Sequence, residues 1–242
     1  LPMLPRALSS WQCSLIAGEE RLAHSVFLEV EEASGEVVGR RRVRTRIRVS
    51  RRLTFEDVGD ILADEPSVAG RVPRDVTRTV RHLGELAARM RAARAAREAF
   101  LEVAVPEIRV LCGGTPPRIQ ALQRVDAGPA HQLVEEFMLA ANTAVAEELV
   151  SLDLPGLFRN HDDPKPSDLA AFADWVRQTL GGRVPVLRDR EAVNRFIAAV
   201  SHAALRDTVL SQFLRALPRA GYAAVCRGHY GLGKDVYCHF TS

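Results

Sequence analysis

The chain has 242 residues, with 33 basic and 30 acidic side chains, a formal net charge of +3, 47% hydrophobic residues and 26% charged ones. That balance suits a soluble globular protein with a sizeable core, and excludes a disordered chain, a collagen and a coiled-coil rod. No apolar run reaches the ~18 residues that a membrane-spanning helix needs, and residues 1–6 lack the charged-then-apolar order of a secretory leader.

A start at Leu1 rather than Met points to a segment of something longer. Cys13, Cys112, Cys226 and Cys238 form no C-x-x-C pair, so free thiols in a reducing cytosol are expected rather than a disulfide framework or a zinc ribbon. Only Lys165 and Lys234 among the basic residues are lysines. Such arginine bias often follows genome composition and is not functional evidence by itself.

In chain order, residues 22–32 and 36–49 read as two strands about the turn Ala33-Ser34-Gly35. In the second, Arg42, Arg44, Arg46 and Arg48 alternate with Val43, Thr45, Ile47 and Val49, so period two puts the arginines on one face. Residues 40–52 hold eight arginines and no acid. This is either a solvated face answered by acids elsewhere or a phosphate-contacting strand. Thr54, with Asp57 three residues on, reads as the N-cap of a short helix over 55–63. Asp57, Asp60 and Asp64 share its side and read as solubilising. Residues 66–73 read as a loop.

A long helix is expected over about 75–100. Val76, Val80, Leu83, Ala87, Met90 and Ala93 form its apolar stripe, and Arg78, Arg89, Arg91, Arg94 and Arg97 a solvated side. Residues 107–125 read as two strands about the turn 113–117, whose Gly113-Gly114 is no phosphate loop because no Lys-Ser/Thr follows. The strongest helix covers about 130–150, with Leu133, Val134, Phe137, Ala141, Val145 and Leu149 on one face. On a helical wheel Glu135 and Asn142 fall at the edge of that face, while Glu136 and Glu147 point away. A carboxylate and an amide there either bond neighbours or line a cavity.

A helix follows Pro166-Ser167 and stops at Gly181-Gly182. Asp189 caps another over 190–200, and a further helix covers about 206–217. Residues 222–242 read as short loops and strands. One α+β unit, a mixed β-sheet wrapped by helices, is the simplest parse.

No familiar catalytic motif appears: there is no G-x-S-x-G, no H-E-x-x-H and no glycine-rich dinucleotide loop. Asp162-Asp163 beside His161 reads as an exposed loop, and His229, Cys238 and His239 offer too few ligands at defined spacing for zinc.

Several blocks nevertheless resemble the catalytic (RNB) domain of the ribonuclease II / ribonuclease R family of 3′-to-5′ exoribonucleases. Residues Leu1 to Ser9 are similar to P-M-L-P-x-x-L-S, Cys13-Ser14-Leu15 to C-S-L, and Gly18 to Leu22 to G-x-x-R-L. Arg52-Leu53-Thr54-Phe55 is similar to A-R-L-T-Y, Leu133 to Asn142 to L-V-E-E-F-M-L-L-A-N, and Leu157 to His161 to L-F-R-x-H. His229 to Gly233 and Tyr237 to Ser242 resemble H-F-G-L-x and Y-x-H-F-T-S. The blocks keep the family's order and span the chain.

The resemblance implies an α+β RNB-type fold. It implies processive hydrolysis of single-stranded RNA to nucleoside monophosphates, with Mg²⁺ activating a water for in-line attack. It places the metal-binding aspartates upstream of P-M-L-P and an arginine pair in P-I-R-R after H-F-T-S. The domain is then incomplete at both ends, with catalytic and metal-binding residues outside residues 1–242 and the segment alone inactive. It also implies flanking cold-shock and S1 barrels.

What it carries onto this chain is RNA contact. Glu135, with Glu136 as the alternative, and Asn142 would lie near a ribose, where a carboxylate on the 2′-hydroxyl prefers RNA over DNA. Arg159, His229, Tyr230, His239, Thr241 and Ser242 would line or support the path, although Tyr230 and Phe240 also read as core aromatics. Phe55 stands where the family has tyrosine, keeping the ring and losing the hydroxyl. The expected protein is a cytoplasmic monomer with no membrane partner. The rival reading is a non-catalytic RNA-binding or scaffold protein built on a degenerate RNB domain.

Overall fold

The computed structural model describes residues 3–68, 70–102, 107–125, 128–181, 186–187, 189–200 and 203–240. The elements run β1 (Glu20–Val30), β2 (Val37–Arg48), α1 (Phe55–Leu62), α2 (Arg74–Arg97), β3 (Glu107–Gly113), β4 (Arg118–Val125) and α3 (Pro129–Ser151). They continue with β5 (Phe158–Asn160), α4 (Pro166–Leu180), α5 (Arg190–Ala199), α6 (Ala203–Ala216) and β6 (Gly221–Ala223). The α+β class is as expected. The strands, however, do not join one mixed sheet: among the described residues they form three two-stranded antiparallel sheets, β1–β2, β3–β4 and β5–β6. Among the described residues, the first two are hairpins whose strands pair with their sequence neighbours.

Chain contacts divide the molecule into two compact units. The first comprises Leu1–Arg91 and Pro129–Val145, the second Ala92–Gly128 and Ala146–Ser242. In the first unit, Thr54 caps α1 as a reciprocal box: its hydroxyl accepts from the Asp57 N–H at 3.1 Å while its own N–H donates to the Asp57 carboxylate at 2.9 Å. Ile61, Val68, Val72 and Val80 pack behind the cap as a small core. The carboxylates read as solubilising are engaged. Arg71 lies 2.7 Å from Asp60 and 3.6 Å from Asp57, and Arg81 pairs with Asp64.

The main core lies in the second unit, where Phe172 and Val176 of α4, Val193 and Ile197 of α5, and Val209, Leu210 and Phe213 of α6 are buried with Leu187. Asp189 caps α5 by accepting from the Ala192 N–H at 2.7 Å, and Gly181 ends α4 at φ 70°, a conformation that glycine adopts without strain.

Two helix faces depart from the wheel. On α2 the arginine side is not simply solvated: Arg94 is buried, its guanidinium 3.7 Å from the Phe100 ring centre, and Arg91 reaches Glu136. On α3 the buried positions are Ala130, Glu136, Leu139, Asn142, Ala144, Val145 and Ala146, while Val134 is exposed. Glu136 therefore faces inward rather than away, because a guanidinium partner makes its burial tolerable.

Candidate nucleic-acid interface

The residues singled out for RNA contact fall into two groups, one in each unit. In the second unit, Leu157 to His161 enter β5, which pairs with β6 so that Arg159 lies opposite Tyr222. The Arg159 guanidinium sits 4.9 Å from the Tyr222 ring centre, a cation–π contact that fixes a long side chain. Phe158 is buried beneath and bridges to Cys238, and the Arg159 N–H donates to the Tyr237 carbonyl at 3.0 Å. Asn160, also buried, binds the loop that follows β6. Its amide NH₂ donates to the Val225 carbonyl and its oxygen accepts from the Arg227 N–H, each at 2.9 Å.

His161 and His229 lie side by side, ring centres 5.0 Å apart. The turn Tyr230–Leu232 sets their protonation. Gly231 N–H donates to His161 Nδ1 at 3.2 Å, and Leu232 N–H to His229 Nδ1 at 3.3 Å. An acceptor Nδ1 means a neutral ring with its proton on Nε2. Burial drives the same way: it lowers the pKa of His161, against opposing pulls from the Pro218 carbonyl and Asp162. His229 falls to about 4 through burial first, then through His161 and Arg159. The chain of rings continues through Tyr237, 5.4 Å from His229, whose hydroxyl is 3.0 Å from His239 Nδ1.

Around this cluster opens a cleft of about 520 Å³ lined by His161, Asp162, Arg190, Arg227, His229 and Lys234. Its charges are mostly paired. Arg227 grips Asp162 at 3.0 and 3.4 Å, holding that carboxyl below its usual range, and Lys234 is 2.8 Å from Glu98. Arg190 binds the Ala99 and Tyr230 carbonyls and lies 5.3 Å from the Tyr230 ring centre. Burial raises the pKa of the Tyr230 hydroxyl and pushes the Cys238 thiol to about 11, so neither ionises near neutrality. Phe240 is 51% exposed, against its reading as a core aromatic.

In the first unit, Phe55 opens α1 directly after the Thr54 cap. Its ring stacks on His131 of α3 with centres 4.0 Å apart and planes 8° from parallel, yet it remains 46% exposed. Glu136 is only 3% exposed and meets Arg91 at 3.3 Å; Asn142 is fully buried and Glu135 is exposed.

The structure thus gathers Arg159, His229, Tyr230 and His239 in one unit, and Phe55, Glu135, Glu136 and Asn142 in the other. Thr241 and Ser242 lie outside the described residues. Asn160, Tyr222, Arg227 and His131 were not anticipated. Asn160 occupies the unspecified position of the L-F-R-x-H block, and the other three carry no spacing signal. All four cysteines are free thiols. No helix among the described residues is long and apolar enough to cross a membrane.

Comparison with known proteins places this arrangement. A Ribonuclease R from Thermotoga maritima is 32% identical over 245 residues, covering all of this chain and 34% of its own length. The Escherichia coli Ribonuclease R is 29% identical over 247 residues, of which this chain covers 29%. The chain thus spans about a third of the length of these relatives. Among solved structures, Mycoplasma genitalium RNase R in complex with ribose-methylated single-stranded RNA superposes with TM-score 0.89 at 19% identity, over the whole chain and 37% of that protein. Yeast Ssd1, described as a pseudonuclease, superposes with TM-score 0.68 at 18% identity over 98% of this chain and 29% of its own. The RNB domain model matches residues 1–242, and the chain belongs to the RNB domain family.

Proposed function

We propose that this chain is part of a 3′-to-5′ exoribonuclease that degrades single-stranded RNA processively to nucleoside monophosphates. The observation that carries the reading is the 32% identity to a Ribonuclease R across the whole chain. In this reading Arg159 meets backbone phosphate, held ready by its contact with Tyr222. Neutral His229 donates from Nε2 rather than supplying charge, because its Nδ1 is already an acceptor, while His161 is held by Gly231 and the Pro218 carbonyl as its support. Tyr230 and His239, with Thr241 and Ser242, line or support the same path. Phe55 offers a ring face to a base without the hydroxyl the family carries. Exposed Glu135 is the better candidate for a ribose 2′-hydroxyl, since Glu136 is occupied by Arg91 and Asn142 is enclosed.

Magnesium does not fit the described residues: no group of three or more His, Cys, Asp or Glu side chains among them is placed to hold a metal ion. Its ligands, and the catalytic residues proper, are assigned to parts of the longer protein outside this chain. A second reading is favoured by the likeness to a pseudonuclease: an RNA-binding protein on the same fold that does not hydrolyse.

The deciding experiment incubates the full-length protein and 5′-labelled single-stranded RNA with Mg²⁺. Stepwise shortening from the 3′ end with release of mononucleotides supports the nuclease. RNA binding without shortening supports the pseudonuclease. A Glu135→Ala variant that still discriminates RNA from DNA as the parent does would remove Glu135 from the ribose site.

A further inference from the structure

We infer that one face of the β1–β2 hairpin, carrying Arg44, Arg46 and Arg48, is an additional docking surface for single-stranded RNA. The register puts Glu20 opposite Arg48, Leu22 opposite Arg46 and His24 opposite Arg44. Direct partners in an antiparallel pair share a face, so these six side chains lie together. At about 3.4 Å per residue the arginines recur every ~6.8 Å along the strand. They stand out from the surface: the side chains of Arg46 and Arg48 are 70% and 64% exposed, and Arg44 is exposed as well.

A solvated face would be expected to carry answering acids. Among the described residues, Glu20 is the carboxylate that answers the row of Arg44, Arg46 and Arg48, touching Arg46 at 3.3 Å and Arg48 at 3.2 Å. Exposed pairs of this kind are weak, so phosphates compete for both guanidiniums. Arg44 has no acidic partner among the described residues and faces His24 instead. Between the cations lie Leu22, 87% exposed, and the exposed His24, an apolar and an aromatic surface on which bases rest. Cations in a row interleaved with base-contacting groups are what a flexible polyanion with stacked bases requires. One leucine is too little apolar surface to enter a lipid bilayer, which makes an anionic membrane the poorer match.

The hairpin is also held in place. At its turn Gly35 has φ 75°, and a Cβ there would come 2.5 Å from the Arg89 carbonyl carbon of α2. Arg89 in turn donates to the Glu32 carbonyl at 3.1 Å. The strand face is therefore presented by a hairpin anchored on a long helix, which lowers the ordering cost of binding.

The test is equilibrium binding of fluorescent oligo(U) RNA by anisotropy. It uses the full-length protein and its R44A/R46A/R48A variant without Mg²⁺, across 50–300 mM salt. Affinity at 100 mM salt is expected to drop tenfold or more. The plot of log affinity against log salt is expected to become shallower by about 2, since each lost single-strand phosphate contact removes about 0.7. The R44K/R46K/R48K variant keeps the charges and is expected to retain most of the slope. Equal affinity and slope in parent and alanine variant would overturn the proposal. So would an equal loss in the lysine variant, or arginine-dependent binding of phosphatidylserine vesicles with RNA unaffected. If the triple alanine variant does not fold, Arg44→Glu alone reads the same quantity and is expected to weaken RNA binding. Binding is scored without hydrolysis, so failure here leaves the nuclease assignment standing, and failure there leaves this one.

Discussion

The helices α4 to α6 and the hairpin β3–β4 belong to the same compact unit and treat apolar side chains in opposite ways. The helices enclose Phe172, Val176, Val193, Ile197, Val209 and Phe213. The hairpin leaves Ile108, Val110, Ile119 and Leu122 exposed, and the 2.7 Å ion pair from Arg124 to Asp207 of α6 ties it to its unit. An isolated two-stranded hairpin is marginal in water. Stability in this unit therefore resides in the helices and the loop network about Asn160, while hairpins contribute surface.

The contrast is easiest to break at its strong end. Phe213→Ala removes a fully buried ring and is expected to cost about 3–5 kcal/mol in urea unfolding. A loss below 1 kcal/mol would mean that the helical core does not carry the unit. Asn160→Ala leaves the Val225 carbonyl and the Arg227 N–H without their partner, and should cost about 2 kcal/mol.

Acid provides a third probe. His229 stays neutral in the fold down to about pH 4, whereas an unfolded histidine takes up a proton near 6.5. Below that value the unfolded chain binds more protons, so stability is full above pH 6.5 and falls as pH drops toward 4. His161 acts in the same direction. Urea midpoints at pH 7.5, 6 and 5 should decline more steeply in the parent than in His229→Asn; parallel declines would show that His229 is not the titrating group. Thr54→Ala dismantles the α1 capping box, for about 1 kcal/mol. At the weak end, Leu122→Ala should change unfolding by no more than about 0.5 kcal/mol, and backbone amides of β3–β4 should exchange with deuterium faster than those of α6.

Much of this architecture was legible because it is local. The Thr54–Asp57 box, the Asp189 cap, the Gly181 stop and the helical periodicities each depend on residues within one or two turns. What escaped is non-local. The wheel for α3 turned Glu136 outward because it could not include Arg91, 45 residues earlier, whose charge makes that burial acceptable. The helical pattern alone puts Arg94 toward solvent because its ring partner Phe100 lies beyond the helix end. The strand β5 has three residues and no periodicity to detect. The candidate site divides the same way. Ordered motif blocks named Arg159, His229 and Tyr230, but the atoms that orient them belong to Tyr222, Asn160 and the 230–232 turn, which only the folded chain brings near.

Asn160 also bears on how the molecule ages. Spontaneous deamidation begins when the backbone nitrogen of the next residue attacks the side-chain amide carbon and closes a five-membered ring. Here that nitrogen, on His161, is committed to the Gly228 carbonyl at 3.0 Å, and both ends of the amide are held by the loop after β6. The attacking atom and its target are pinned apart in an extended strand. A residue whose conversion to a carboxylate would break the bond to the Val225 carbonyl is thereby shielded from that conversion while the protein stays folded.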